Sequence, residues 1–214
     1  MYLSRVKLDI NNRKTLKALH SLSIFHGAIE KSFDQIERKR HLWRIDQLHG
    51  KYYLLLVSED KPNLEVIAEQ FSSTPYEYGC KEYQSYINRI KNGDTLQFRL
   101  TANPTYSVKK DDHSKRGTVH AHITPNYQKK WLIKKGEKCG FAVEENDFDV
   151  LESQWHSFKK QHNKGSRVSL VSAVFEGKLK VINAEQFRQS LVSGIGREKA
   201  YGMGMMTVIP VDDG

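Results

Sequence analysis

The sequence predicts an α+β protein built from two modules, and three observations carry that prediction. Short runs with apolar residues at every second position are interleaved with runs whose apolar residues recur at three- and four-residue spacing. Turn-forming Asn, Gly and Pro residues fall between the runs. A Gly93-Asp94 break divides the 214 residues into an N-terminal module, 1–93, and a C-terminal module, 94–214, each the size of a small domain.

In the first module, Tyr2 to Leu8 alternates as a strand, and Asn11 or Asn12 supplies a side-chain acceptor for the free N–H groups of a following helix. Leu16, Leu19, Leu22, Phe25, Ile29 and Phe33 then predict one amphipathic helix. Leu42 to Leu48 and Tyr52 to Val57 read as strands joined by a turn at His49-Gly50-Lys51. Pro62 to Gln70 is helical in pattern, and a last strand falls near Tyr76 to Tyr83. The order β-α-β-β-α-β is ferredoxin-like. The second module is less regular. Thr95 to Thr101 reads as a strand ending at Asn103-Pro104, a basic loop follows (Lys109, Lys110, Lys115, Arg116), and Pro125 to Lys135 opens a helix. Val168 to Phe175 and Lys178 to Ile182 read as a hairpin around Glu176-Gly177. Asn183 caps a helix over Ala184 to Ser193 that stops at Gly194, and Met205 to Ile209 is a closing apolar strand.

Composition narrows the function. With 38% hydrophobic and 28% charged residues the chain is expected to fold and stay in solution. A net charge of +9 favours a polyanionic partner, nucleic acid or an anionic surface. Cys80 and Cys139 form no CxxC pair, which argues against a disulfide scaffold or a four-cysteine zinc site and fits the cytoplasm. No signal peptide and no membrane span is expected. Walker and dinucleotide glycine loops, serine and cysteine catalytic signatures and the aromatic run of single-strand RNA readers are missing.

On a 100° helical wheel His26 falls inside the apolar face and reads as a packed residue. His20 falls nearly opposite, near Arg13, Lys17 and Lys31. A solvent-facing histidine among cations is either an ordinary surface residue or a general acid or base beside a phosphate, with the cations stabilising its charge. The segment from Gly194 to Met206 holds Gly194, Gly196, Gly202 and Gly204 with Arg197 and Lys199 inside it. It reads as a tight structural loop or as a backbone cradle for an anion. Lys159, Lys160, Lys164 and Arg167 form a basic tip of the kind that enters a duplex groove, or a solvated loop. Arg38-Lys39-Arg40 and Lys109-Lys110 carry the same two readings. His120-Ala121-His122 places two imidazoles on one strand face, but no third ligand stands at convincing spacing, so a metal nuclease is the weaker alternative.

The opening MYLSRV, the helix carrying Leu19-His20, the strand FRLTANP, the run VSAVFEG with KLKV after it, and GIGREKAYGMGMM before the final strand resemble the CasE family, the CRISPR repeat-RNA endoribonucleases of the type I-E Cascade complex. The resemblance runs nearly end to end and is loosest from Asp111 to Lys164. It implies two tandem ferredoxin-like (RRM-like) βαββαβ domains. It also implies a single cofactor-free, metal-independent cut at the base of the repeat stem-loop in precursor CRISPR RNA by 2′-OH attack, with the product held among other Cascade subunits. The family's helix histidine falls on His20; where the family often has Tyr one turn earlier, this chain has Lys17, so the acid and base roles of the pair stay open. The hairpin-gripping ribbon falls near Lys159 to Arg167, and the glycine loop near the RNA backbone. An RNA-hairpin-binding scaffold subunit without catalysis is the alternative.

Overall fold

The structure is a computed structural model, described for residues 1–34, 39–109, 117–159 and 167–211. The first sheet contains β1 (Tyr2–Leu8), β2 (Leu42–Leu48), β3 (Lys51–Ser58) and β4 (Tyr78–Glu82) in the antiparallel order β2-β3-β1-β4. The turn between β2 and β3 is His49-Gly50, and both residues have positive φ, 49° and 72°. That backbone twist matches the twist of the strands it joins. Helices α1 (Arg13–His20), α2 (Ser23–Lys31) and α3 (Glu65–Phe71) supply the apolar cover. Phe25 of α2 meets Phe71 of α3 at 4.8 Å and Trp43 of β2 at 5.8 Å between ring centroids, above Val6, Leu54 and Leu56 of the sheet.

The single helix expected from Leu16 to Phe33 is two helices. Asn12 caps α1 by accepting from the Lys14 N–H. At the other end Ser21 leaves helical geometry (φ −136°, ψ 85°), and its hydroxyl lies 3.1 Å from that of Ser23. Serine side chains that bond locally compete with the helical ladder, and here they break it. Each half then buries its own face. Thr15 and Ala18 pack inward from α1, where the Thr15 hydroxyl donates to the Phe71 carbonyl at 2.9 Å, and Phe25, Ala28 and Ile29 pack inward from α2. Leu16, counted in the apolar stripe, is 43% exposed.

Helix α4 (Gln84–Asn88) leads to the second sheet, which holds β5 (Thr95–Ala102), β8 (Phe141–Ala142), β9 (Phe148–Lys159), β10 (Arg167–Val181) and β11 (Met205–Pro210). Its order is β11-β5-β10-β8, with β9 also paired to β10. Helices α5 (Pro125–Cys139) and α6 (Ala184–Ser193) pack on it, with Phe98, Phe141, Phe175, Phe187, Trp131 and Leu132 in the core. Asn183 caps α6 through the Gln186 N–H. Among the described strands, β6 (Thr105–Val108) and β7 (Thr118–Ala121) pair only with each other. Both sheets carry the ferredoxin-like strand order.

The hairpin expected around Glu176-Gly177 does not exist. Both residues lie inside the 15-residue strand β10, where Glu176 pairs with Arg99 on one side and Asp149 on the other. Gly177 is required for close approach: a Cβ there would collide with the Asp147 carbonyl and Phe148. The true hairpin is β9–β10, whose ladder runs to the Arg167–Lys159 pair. Strand β9 escaped the sequence reading because most of it is exposed on both faces and lacks the alternation of a half-buried strand. Near its open end Phe158, Val168 and Leu170 leave the second core and join the first.

Arg44 ties the two sheets together. Its guanidinium, 2% exposed, bonds Asp46 of its own strand at 2.8–3.0 Å. It also donates to the Arg99 carbonyl of β5 at 2.8 Å, the Met205 carbonyl of β11 at 3.2 Å and the Thr207 hydroxyl at 2.7 Å. Removing the carboxylate strands a buried cation, so Asp46→Ala is expected to cost about 3–5 kcal/mol in urea unfolding.

Two histidines give stability a pH dependence. Burial pushes the pKa of His41 down, partly offset by Glu30 and Asp60, and burial likewise lowers that of His156. The unfolded chain, with histidines near the ordinary value of about 6.5, therefore takes up protons first as pH falls, and stability is lost from about pH 6.5 downward. His41 stacks on Phe33 at 3.8 Å between centroids. His41→Phe keeps that stack and is expected to lose less Tm than the unaltered chain between pH 7 and pH 5.

Candidate functional site: a basic face around the first helix break

Arg13, Lys17 and His20 stand at four- and three-residue spacing on the exposed side of α1, so all three face solvent together. The helix break makes His20 the last residue of α1. Its Nδ1 lies 2.8 Å from the Leu16 carbonyl. A carbonyl only accepts, so Nδ1 carries the proton in this contact and Nε2 is left as the working nitrogen, an acceptor when the ring is neutral. The expected grouping of Lys31 with these residues came from one continuous wheel. Lys31 instead stands at the far end of α2, about 12 Å along the helix axis from Ser23.

The basic ribbon reaches this site. The Ser23 hydroxyl donates to the Lys159 carbonyl at 3.3 Å, which sets the end of β9 against the start of α2, three residues on from His20. Lys159 and Arg167 are cross-strand partners, both exposed, and the Arg167 Nε donates to Ser157 Oγ at 2.7 Å. Lys160 and Lys164 lie outside the described residues.

The glycine loop packs on α2 from the other side. Tyr201, within a short 3₁₀ turn (Lys199–Tyr201), meets Phe158 of the ribbon at 5.1 Å and His26 of α2 at 6.2 Å between ring centroids. All four glycines have positive φ, but their amides are not equivalent. The N–H of Gly204 donates to Thr101, that of Gly194 to Ser190 and that of Gly202 to Lys199. A Cβ on Gly204 would stand 2.6 Å from the Ile195 carbonyl, so this glycine closes the loop on itself. Gly194, Gly202 and Gly204 thus shape the loop, while Gly196, Arg197 and Lys199 line its clefts.

One cleft, of about 590 Å³, lies between α2 and the loop and is lined by His26, Glu30, Arg40, His41, Lys199 and Tyr201 among others. The Lys199 ammonium donates to the Ser193 carbonyl at 2.7 Å, and burial, then the neighbouring Arg40 charge, pulls its pKa below the lysine range. The sequence reading left His26 as a packed residue and did not find His41. Their convergence comes from chain segments that only the packing of α2 on β2 brings together. On the far side of Gly196 a smaller cleft, about 250 Å³, is lined by Arg197, Lys135, Trp131, Tyr106 and Ser107. The lysines of α5 were the missed signal there: Lys129, Lys130, Lys134, Lys135 and Lys138 on a single helix.

The remaining motif, His120 and His122, meets rings. Tyr106 lies 5.5 Å from His120 and 4.7 Å from His122, and Tyr127 lies 5.8 Å from His122. Among the described residues, no three His, Cys, Asp or Glu side chains come together where they could hold a metal ion. Likewise, no described helix is long and apolar enough to cross a membrane.

Comparison with known proteins adds the lineage. A CRISPR-associated endoribonuclease, Cse3 of Thermus thermophilus, is 24% identical over 98% of this chain and 100% of its own length. The structure of Thermus thermophilus Cse3 bound to an RNA representing a pre-cleavage complex superposes with a TM-score of 0.76 at 24% identity, covering 98% of both chains. A chain of a CRISPR RNA-guided surveillance complex matches with a TM-score of 0.67 at 15% identity, covering 99% of this chain and 100% of that one. Residues 1–210 match the family described as CRISPR associated protein, and the chain is a member of that family.

Proposed function

We propose that this protein is a metal-independent endoribonuclease that grips the repeat hairpin of precursor CRISPR RNA and cuts it once at the base of the stem. Family membership, a relative named as an endoribonuclease and fold likeness to an RNA-bound chain support the substrate class. Likeness to a surveillance-complex chain supports retention of the product among Cascade subunits. We take 1–93 as the module that carries the acid–base helix and 94–214 as the module that carries the ribbon and glycine loop.

The observation that supports the reading is the Ser23–Lys159 bond, which joins the basic end of β9 to the start of α2, three residues on from His20. A hairpin whose phosphates lie along Lys159 and Arg167 presents its stem base to Nε2 of His20. In that arrangement the neutral imidazole takes the proton of the attacking 2′-OH. The 2′ oxygen bonds to phosphorus, and the bond to the 5′ oxygen breaks. The leaving oxygen is protonated as the 2′,3′-cyclic phosphate forms. Lys17, one turn back on the same face, and Arg13 neutralise the phosphorane, and the Lys17 ammonium can give the leaving oxygen its proton.

The test is a cleavage assay in EDTA on the repeat RNA, with and without a 2′-deoxy nucleotide before the cut. A single cut abolished by the deoxy substitution is expected; tight binding without a cut points to the scaffold alternative. His20→Ala is expected to slow single-turnover cleavage at least about 100-fold, with hairpin affinity changed less than about twofold. Arg167→Ala is expected to weaken binding of any hairpin sequence and to lower the slope of log K against log salt by about 1; an unchanged slope would remove Arg167 from the phosphate contacts.

A further inference from the structure

The β6–β7 pair has no sheet neighbour among the described strands, and most of its side chains are exposed on both faces. A two-stranded ribbon open to water gains little from burial, so this one needs a reason for its surface. Tyr106 and His120 are direct cross-strand partners and therefore share a face, and His122 and Tyr127 extend the same ring cluster. Tyr106 is 44% exposed and Tyr127 59% exposed. Burial lowers the pKa of His122, so its ring stays uncharged near neutrality. Tyr106 also borders the small cleft that Ser107, Val119, Lys135 and Arg197 line, and no carboxylate lines that cleft among the described residues. From residue 117 to 135 the chain has lysines but no Asp or Glu. Exposed rings beside unopposed cations complement the stacked bases and phosphates of a single strand, and such stacking is tolerant of sequence.

We propose that this ribbon is a second RNA-binding site, a stacking platform for unpaired nucleotides that flank the hairpin, with Lys135 and Arg197 on their phosphates. The inference rests on the hairpin-binding reading above. It gives a role to the His-x-His motif that metal binding does not, and it places a sequence-tolerant surface across the glycine loop from the α1 site.

The experiment compares the affinity of the full chain for the bare hairpin and for the same hairpin carrying an unpaired flank on either side, in two unrelated sequences. The unaltered chain is expected to bind one flanked form about tenfold tighter than the bare hairpin, whichever flank sequence is used. Tyr106→Ala is expected to erase that gain and Tyr106→Phe to keep it, since the Tyr106 ring is exposed and only its face is needed. Lys135→Ala is expected to lower the salt slope for the flanked RNA by about 0.7, the increment for one single-strand phosphate contact. Equal affinity for bare and flanked RNA, or equal losses on both with Tyr106→Ala, would overturn the proposal and make the ring face a protein contact. If the unaltered chain fails to bind even the bare hairpin, the hairpin reading fails and this inference with it.

Discussion

Arg44 ties the two sheets together, and the approach of the β9–β10 ribbon and the glycine loop to α2 depends on how those sheets sit. A guanidinium has five donors in a rigid plane. Here they reach a carboxylate on β2, main-chain carbonyls on β5 and β11, and a hydroxyl on β11. Main-chain carbonyls leave the geometry little freedom, because they move only with their strands. Around the polar tie lies a small apolar cluster of Leu42, Val57, Tyr83, Ile87 and Met205, drawn from β2, β3, β11 and the α4 segment. The Tyr86 hydroxyl donates to the Val208 carbonyl at 2.9 Å and adds a further link. The buried ion pair is weak evidence of net stability; its value here is orientation.

With the sheets so tied, α2 acts as a spine between two gripping elements. Its start touches the β9–β10 ribbon through Ser23 and Lys159, and its middle touches the glycine loop through His26 and Tyr201. The break at Ser21 and Leu22 is the second requirement. A continuous helix would have kept His20 in mid-helix; the break makes it the last residue of α1. Its ring turns back on the Leu16 carbonyl through Nδ1, which leaves Nε2 outside that contact.

The two ribbons solve one problem differently. The β9–β10 ribbon is anchored at its open end by Phe158, Val168 and Leu170, which insert into the core of the other module. Its cations therefore stand on a rigid base. The β6–β7 ribbon has no such anchor. It presents exposed rings, of which Tyr106 borders a cationic cleft. A rigid element suits a folded hairpin, and a less embedded one suits a strand without fixed shape.

The local code was legible where one face of an element is buried. Strands β1, β2, β5 and β11, the caps at Asn12 and Asn183, and the stop at Gly194 all follow from alternation and side-chain acceptors near free N–H groups. His20, Lys17 and Arg13 were found because solvent exposure of a charged helix face is itself a periodic signal. Strand β9 and the β6–β7 ribbon were missed because elements open to water on both sides have no pattern to read. Gly177 misled because the sequence does not say whether a glycine makes a turn or admits a neighbour, and only the neighbour at Phe148 decides. Sequence by itself determined the ferredoxin-like strand and helix order of the first half, the excess of positive charge and the candidate histidine, since each depends on residues close in the chain. Tertiary structure alone decided the ribbon set against α2, the two clefts beside Gly196 and the ring cluster on β6–β7. Those depend on groups brought together across sheets, where burial and hydrogen-bond geometry, not spacing, choose the partner.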